Sequence, residues 1–480
     1  MKKTLLFGMM LVCSALFMNV SAAEPKVDAA TYANKVDGKF TFENKWIYSN
    51  KENNYLAADL LAPTANVRGM AVKNGKMLFI DRSTKSILVI NGQTGAKETP
   101  LKLADNFFKF LGKTKDGTAD SLWTAGVLTH NDIHVDNAGN VLVGNLTNMD
   151  PGAKNRRFQV WKVNMTDGTG TVVIDAQMDE LFPIANIRFD AFGVWGDING
   201  RAVIMAANAN AMEVYKWDIV GGVVPAKPIL IEVDNTATAG YLKGLPSPGL
   251  APRVFPLDEN YFYLDGQAIY PTLIDKDGNY IDDFSKKPSA LKDSVTVDGK
   301  IINLNQAPNG IKDFDLGGEY FTVMGATNTD GNPGSAFRIY KFADGAKAYS
   351  GLDVMWTFPQ IGLGAASNSH RTAMPQVEVN GNTAYIYFYY GENGYGMYEM
   401  KYVPTGLSRT QVSDVTITLN NNKILISESV KSAEVYSISG MRLAFANNVS
   451  EIAAPTQKGI YLVSIVDNSG AKKVQKVAVH

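Results

Sequence analysis

The stretch NDIHVDNAGNVLVGN, residues 131–145, predicts two short strands that meet at a tight turn. Apolar residues flank the turn Ala138-Gly139 on both sides, which is the pattern of a β-hairpin. Five further stretches repeat this pattern: GMAVKNGKMLFID (69–81), FDAFGVWGDINGRAVIMAA (189–207), VFPLDENYFYLDG (254–266), DFDLGGEYFTVMG (313–325) and MPQVEVNGNTAYIYFYY (374–390). From each turn to the next, the steps are 64, 61, 60, 58 and 63 residues. A period near 60 with several short strands per unit predicts a radial array of β-sheets.

Each repeat continues with a third strand, and most continue with a fourth. The third strands are predicted at RFQVWKVN (157–164), MEVYKWDI (212–219), AFRIYKFADG (336–345) and YEMKYVPTG (398–406), with weaker versions at 86–95 and 268–278. Fourth strands are predicted at 100–103, 171–175, 228–233, 279–284 and 354–358. The last repeat lacks a fourth strand, and KFTFENKWIYSN (39–50) would complete it and leave no exposed sheet edge. We therefore predict a six-bladed β-propeller over residues 35–405.

Three insertions interrupt the repeats. The segment 103–117 predicts a short helix or a lid, and 235–252 and 285–309 predict long loops rich in Gly, Pro and Asn. Loops of this kind usually carry the function of such a fold.

The chain begins with the pattern of a secretory signal peptide. Lys2 and Lys3 precede an apolar stretch, and small residues at 20–23 offer a cleavage site. We expect residues 1–23 to be removed and the protein to be secreted, periplasmic or at the outer-membrane surface. Cys13 lies inside this segment, and Val12 before it disfavours a lipid anchor there.

Composition excludes several classes of function. Cys13 is the only cysteine, so the mature chain has no disulfide, thiol nucleophile or cysteine-bound metal. The 46 basic and 47 acidic residues become 44 and 47 once Lys2 and Lys3 are removed, a net charge of −3. This balance argues against nucleic-acid binding. No later apolar run is long enough to cross a bilayer.

After a polar linker, residues 411–480 predict a small β-sandwich of short alternating strands. Its stretches VYSISGMR (435–442), GIYLV (459–463) and KVAV (476–479) resemble the C-terminal sorting domains of proteins exported by the type nine secretion system in the Bacteroidetes. The residues that carry the resemblance are Gly440, Arg442, Gly459, Tyr461 and Lys476, with Met441 inserted between the Gly and the Arg. The resemblance implies contact with the secretion machinery. The alternative is a small domain that packs on the first. As a whole, the chain resembles uncharacterised secreted propeller proteins of the Bacteroidetes.

Polar and charged side chains recur just before the predicted innermost strands. They are Arg68, His130, Asn131, Asp132, Arg188, Asp190, Arg253, Lys312, His370 and Arg371. A ring of cations around one mouth of a channel would attract an anionic ligand such as an acidic sugar. The alternative is that these charges pair with Asp132, Asp190, Asp313 and backbone carbonyls and fill the channel.

Catalytic patterns are few. His130 and His134 lie four apart in a strand, which separates them by about 13 Å and disfavours a shared metal. Sialidase, nucleophile-elbow, phosphate-loop and calcium-loop patterns are missing from the sequence, so no cofactor and no metal is expected. Trp123, Trp195, Trp356 and the tyrosines of 385–395 are either sugar platforms or core residues.

Three functions fit this sequence. The first is a non-catalytic binding module for carbohydrate or another extracellular polymer, with its ligand at the charged mouth. The second is a polysaccharide lyase or glycoside hydrolase, in which His130 or His370 would be the base and an Arg would neutralise a uronate. The third is a structural surface scaffold.

Overall fold

The protein has an all-β fold, which confirms the predicted class. The computed structural model describes residues 32–33, 39–52, 54, 66–113, 119–148, 156–178, 186–236, 239–286, 294–297, 300–303, 310–326, 335–342, 348–359, 362–364, 372–404, 415–468 and 472–480. The chain divides into two compact units, Met1–Tyr402 and Val403–His480. In the ranges above, no helix has the length and apolar character needed to span a membrane. The predicted signal segment 1–23, with Cys13, lies outside these ranges.

The first unit opens with two strands and three antiparallel sheets. The opening strands are β1 (Tyr32–Ala33) and β2 (Phe40–Ser49). Sheet I contains β3 (Val67–Lys73), β4 (Lys76–Asp81), β5 (Ser86–Asn91) and β6 (Leu101–Lys102). A separate hairpin follows, made of β7 (Lys109–Lys113) and β8 (Asp120–Thr124). Sheet II contains β9 (Leu128–Val135), β10 (Val141–Asn148), β11 (Arg157–Val163), β12 (Gly170–Gln177) and β13 (Arg188–Phe189). Sheet III contains β14 (Gly193–Gly196), β15 (Ala202–Ala207), β16 (Glu213–Ile219) and β17 (Ile229–Glu232).

Three more sheets complete this unit. Sheet IV contains β18 (Arg253–Pro256), β19 (Tyr261–Gly266), β20 (Ile269–Asp275) and β21 (Tyr280–Asp283). A second hairpin contains β22 (Ser294–Val297) and β23 (Lys300–Asn303). Sheet V contains β24 (Ile311–Leu316), β25 (Glu319–Ala326), β26 (Ala336–Phe342) and β27 (Leu352–Phe358). Sheet VI contains β28 (Ala373–Asn380), β29 (Thr383–Tyr390) and β30 (Gly394–Tyr402), extended by β2 and β1. Short 3-10 turns occur at Gly240–Leu242, Phe284–Lys286 and Tyr349–Gly351.

Successive sheets are joined by buried apolar cores. Sheets V and VI share one core, in which the rings of Phe337 and Phe388 lie 5.3 Å apart. Sheet VI in turn shares a core with sheet I, where Phe79 and Tyr389 lie 5.3 Å apart. The first strands follow the same order, because β3 contacts both β9 and β28. The sequence of sheet contacts therefore returns from sheet VI to sheet I.

The N-terminal strand β2 completes sheet VI by pairing antiparallel with β30. This pairing of the segment 39–50 with the last repeat is the one that the sequence predicted. Phe42 anchors it, since its fully buried ring stacks 5.0 Å from Trp356 and 4.7 Å from Tyr398. The two ends of the unit are thus held in one sheet.

Two predicted insertions differ from expectation. The predicted helix in 103–117 is wrong, because Lys109–Lys113 pairs with Asp120–Thr124 as a hairpin whose partner strand satisfies the backbone. The predicted loop 285–309 contains the hairpin β22–β23, and the rest of it beyond Lys286 lies outside the described ranges. Within 235–252, the described residues hold only the short turn Gly240–Leu242.

The second unit is one five-stranded sheet. Its strands are β31 (Ile417–Asn420), β32 (Lys423–Ser437), β33 (Arg442–Ala453), β34 (Gly459–Val466) and β35 (Lys472–Val479). The order is β31-β32-β34-β35, and β33 pairs with β32. Val430, Val435 and Val463 form its buried core. Among the motif residues, Gly440 takes a positive φ of 84° in the turn before β33, and Arg442 pairs with Glu434 at 3.0 Å.

Candidate functional site

A central cavity of about 710 Å³ is lined by the first strand of every sheet, I to VI. The strands contribute Ala71 and Val72 (β3), His134 and Val135 (β9), Val194 and Trp195 (β14), Val254 and Phe255 (β18), Lys312 and Asp313 (β24), and Gln376 (β28). Its volume is in the range that holds small organic ligands. The repeated hairpins therefore position one shared site.

The cavity wall combines aromatic rings with polar groups. The rings include Trp195, Phe255, Tyr261, Tyr263 and Tyr320, and the polar side chains include Asn137, Asp258, Lys312, Asp313, Asp315 and Gln376. Tyr261 is 42 % exposed, which marks a side where the cavity meets solvent. Asn137 and Asp258 follow the first strands of their sheets, whereas the predicted charged mouth precedes those strands.

The predicted mouth contains a buried network of paired charges. Arg253 Nη1 lies 3.1 Å from Asp132 Oδ1, and its Nη2 donates to the carbonyl of Arg68 at 2.6 Å. Asp132 is fully buried and Arg253 is 6 % exposed. Thr372 Oγ1 donates to the same Arg68 carbonyl. This network joins sheets I, II and IV to the segment that enters sheet VI.

A second ion pair lies in the same region. Arg188 holds Asp190 through two hydrogen bonds of 2.6 and 2.9 Å, and Asn131 Nδ2 donates to the Asp190 carbonyl at 2.7 Å. Arg188 does not begin sheet III as predicted, because Arg188–Phe189 pairs with β10 in sheet II. Burial lowers the pKa of Arg68, and the positive charges of Arg82, Arg188 and Arg253 also lower it. The negative charge of Asp190 opposes them, and the resulting pKa is about 10.

His130 does not line the cavity. Its ring is packed 4.9 Å from Phe108, and the residue is 3 % exposed. Burial, with smaller contributions from Lys85 and Lys102, lowers the pKa of His130 to about 4. The imidazole is therefore a neutral core group at neutral pH. The other predicted base, His370, lies outside the described ranges, as does Arg371.

Lys312 is the one predicted cation found in the cavity wall among the described residues. The Lys312 side chain is exposed to water in the cavity. Desolvation by the surrounding protein atoms lowers the pKa of Lys312, although the charge of Asp313 opposes this. Asp313 Oδ2 accepts hydrogen bonds from Tyr263 at 2.9 Å and from Tyr320 at 2.7 Å. Burial nevertheless raises the pKa of Asp313 above its usual value.

His134 and Asp132 form a hydrogen-bonded pair, which connects the cavity wall to the buried network of Arg253. His134 Nε2 lies 2.9 Å from Asp132 Oδ2, and the His134 ring meets Phe192 edge-on at 4.6 Å. Burial would raise the pKa of Asp132, but the charges and hydrogen bonds of Arg253 and His134 outweigh it and lower that pKa. The two side chains are two apart on β9, so they point to the same side of the strand. That spacing was the signal that sequence reasoning missed.

Most aromatic residues considered as sugar platforms lie in the core. Tyr387, Tyr389, Tyr395 and Trp356 are fully buried or nearly so. Trp195 instead lines the cavity. Within the described part of the chain, no group of three or more His, Cys, Asp or Glu side chains is arranged to hold a metal ion.

Comparison with known proteins gives distant structural likenesses only. No protein-family model matches the sequence, and no curated protein is similar to it. Among solved structures, a DUF4623 family protein from Bacteroides eggerthii is 14 % identical, with a TM-score of 0.49 over 74 % of this chain and 76 % of that chain. The PQQ-bound aldose sugar dehydrogenase of Streptomyces coelicolor is 11 % identical, with a TM-score of 0.35 over 78 % of this chain and 100 % of that chain. Likenesses at this level assign no function to the chain.

Proposed function

We propose that residues 35–405 form a six-bladed β-propeller and residues 411–480 a small β-sandwich. The first proposal is supported by the six sheets and by the shared cores that lead from sheet VI back to sheet I. The second is supported by the closed apolar core of β31–β35, where Lys473 Nζ donates to the Val415 carbonyl and links the two ends of the sheet.

We further propose that the protein is a secreted or cell-surface binding module for carbohydrate or another extracellular polymer. The observation that carries this proposal is the central cavity, whose wall contains aromatic rings together with carboxylate, amide and ammonium groups. Sugars present apolar ring faces and many hydroxyls, so a binding site for them needs both kinds of group. Trp195 and Tyr261 would stack on the ligand, and Gln376, Asn137 and Asp258 would bind its hydroxyls.

The ligand site proposed here is the cavity and not the charged mouth. Arg188 and Arg253 are already paired with Asp190 and Asp132, so their charges are largely satisfied within the protein. Lys312 belongs to both the predicted mouth and the cavity, and it supplies a cation for an acidic sugar.

Export is supported by the sequence patterns at both ends. The segment 1–23 would direct the chain out of the cytoplasm, and the motif residues of the second unit would engage the secretion machinery. Fractionation of the producing cells, with and without residues 411–480, tests this. Retention of the shortened chain in the periplasm supports a sorting role, and unchanged export contradicts it.

The binding proposal is tested by isothermal titration of the mature protein with neutral and acidic oligosaccharides. We expect Trp195→Ala to weaken binding by about fivefold or more, since an aromatic stack contributes roughly 1–3 kcal/mol. Trp123→Ala is the matched control, because Trp123 lies on the β7–β8 hairpin and not in the cavity wall. Equal effects of the two substitutions, or no binding of any glycan, would refute the proposal and favour a protein partner or a scaffold role.

A further inference from the structure

His134 has the surroundings of a proton acceptor that faces the cavity. Its Nε2 is held at 2.9 Å by Asp132, and the ring lines the cavity wall. Among the described residues, no hydrogen bond is made to its second nitrogen, Nδ1, and that nitrogen is not sealed from solvent. One ring nitrogen is therefore fixed by protein, and the other is available to a ligand.

The buried ion pair determines which nitrogen carries the proton. Asp132 is fully buried and is held in its ionised form by Arg253 at 3.1 Å. An ionised carboxylate only accepts hydrogen bonds, so Nε2 must donate to it. A neutral imidazole with its proton on Nε2 has its lone pair on Nδ1. The backbone N–H of Phe192 also donates to Asp132 Oδ2, at 3.2 Å, and fixes the carboxylate further.

Lys312 gives the same cavity wall an amine beside the carboxylates of Asp258, Asp313 and Asp315. Its side chain is exposed to water within the cavity, and within the described part of the chain it makes no ion pair. The neighbouring Asp313 is instead engaged by the hydroxyls of Tyr263 and Tyr320. A cation in such a place favours a ligand that brings a carboxylate. His134 lies in sheet II and Lys312 lies in sheet V. Sheets III and IV separate them in one direction, and sheets I and VI separate them in the other.

We propose that the cavity cleaves uronate-containing polysaccharides by elimination, with His134 Nδ1 as the general base and Lys312 as the group that binds the uronate carboxylate. This inference rests on the proposed function, because it requires that a glycan occupies the cavity. Asp132 is a positioning residue that acts through His134.

The reaction is a β-elimination that needs no oxidant and no cofactor. Nδ1 takes the proton from the carbon next to the carboxylate, and the electron pair of that C–H bond forms a C=C bond with the neighbouring carbon. The C–O bond of the glycosidic linkage breaks at this neighbour, and the leaving oxygen takes a proton from water. The imidazolium then returns its proton to water. Lys312 stabilises the negative charge that develops on the carboxylate during proton removal.

The experiment measures binding and product formation separately with polygalacturonate and alginate oligomers. Titration calorimetry with the mature protein detects binding. Ultraviolet absorbance of the conjugated double bond detects elimination, and a reducing-end assay detects any cleavage. We expect wild-type protein to generate absorbance and reducing ends in equal amounts.

Substitutions assign the roles. His134→Gln keeps a donor for Asp132, so we expect binding within about threefold of wild type and a loss of turnover of at least a hundredfold. Lys312→Met should weaken binding of the uronate oligomers but leave binding of their carboxyl-reduced, neutral forms unchanged. Asp132→Asn should lower turnover while the aromatic packing of the first unit is kept, as judged by an unchanged near-ultraviolet circular dichroism spectrum. His480→Gln, at the end of the second unit, is the matched histidine control and should be silent.

The outcomes separate the two proposals. Binding without absorbance, or reducing ends without absorbance, overturns the elimination and leaves the binding proposal intact. Full turnover by His134→Gln also overturns it. Failure of every uronate oligomer to bind overturns this inference, and the proposed function fails as well only if the other neutral and acidic oligosaccharides also do not bind.

Discussion

The buried pair of Arg253 and Asp132 should contribute strongly to the stability of the first unit. Both side chains are almost inaccessible to water, and their charged atoms lie 3.1 Å apart. At that distance the Coulomb attraction is about 5 kcal/mol with an effective dielectric constant of about 20. Removing one partner of such a buried pair typically costs about 3–5 kcal/mol. We therefore expect Arg253→Met to lower the free energy of unfolding by roughly 3–5 kcal/mol at neutral pH.

The effect should depend on pH with a defined sign. In the folded protein burial would raise the pKa of Asp132. Arg253 and His134 outweigh burial, so the pKa of Asp132 is lowered. A carboxyl group with a lowered folded pKa stabilises the fold above its unfolded pKa, about 3.9, and loses this stabilisation as the pH falls through the folded value. Arg253→Met raises the folded pKa of Asp132 and removes most of this contribution. The difference between wild type and variant should thus be largest near neutral pH and shrink below about pH 4.

Urea denaturation at several pH values measures this difference. The matched control is Arg201→Met, since Arg201 also pairs with a carboxylate, Glu259 at 2.8 Å, but there the two side chains are 36 % and 40 % exposed. Water screens that pair, so its loss should be much smaller. Similar losses for both variants, or a loss for Arg253→Met that is the same at pH 3 and pH 7, would refute the reasoning.

Three further predictions follow from packing and from the chain ends. Gly69→Ala should lower the free energy of unfolding by about 1–3 kcal/mol in thermal or urea unfolding, which is the usual cost of overpacking. The reason is that the added Cβ would lie 2.5 Å from Asp132 Oδ1. The control is Gly200→Ala, whose added Cβ would have no atom closer than 3.6 Å. Phe42→Ala should cost about 3–5 kcal/mol by opening the ring stack that holds β2 in sheet VI, and a loss below about 1 kcal/mol would mean that β2 does not close the unit. Mass spectrometry of the secreted protein should find an N-terminus at Ala23 or Glu24, and an intact Met1 would contradict signal cleavage.

Most of the strand pairs could be predicted from local sequence patterns. Strand pairs around turns such as Asn74-Gly75 and Asn380-Gly381 depend on neighbours in the chain, so alternation and turn residues predict them well. The closing strand β2 was also predictable, since the last repeat lacked a fourth strand and an unassigned strand preceded the first. The 103–117 prediction failed because a short apolar run such as that around Phe110 fits a helix or a strand equally, and only the partner strand decides.

The site depended on contacts that no local pattern contains. Sequence alone marked Lys312, Arg253 and Asp132 as polar residues near the centre, but it left open whether they pair with one another or face a ligand. Arg253 and Asp132 are 121 residues apart, and they meet only because separate sheets bring their first strands together. The same assembly buries His130 against Phe108 and turns His134 toward the cavity. Strand alternation determined which residues share a side, and the packing of the sheets decided which side is core and which is cavity.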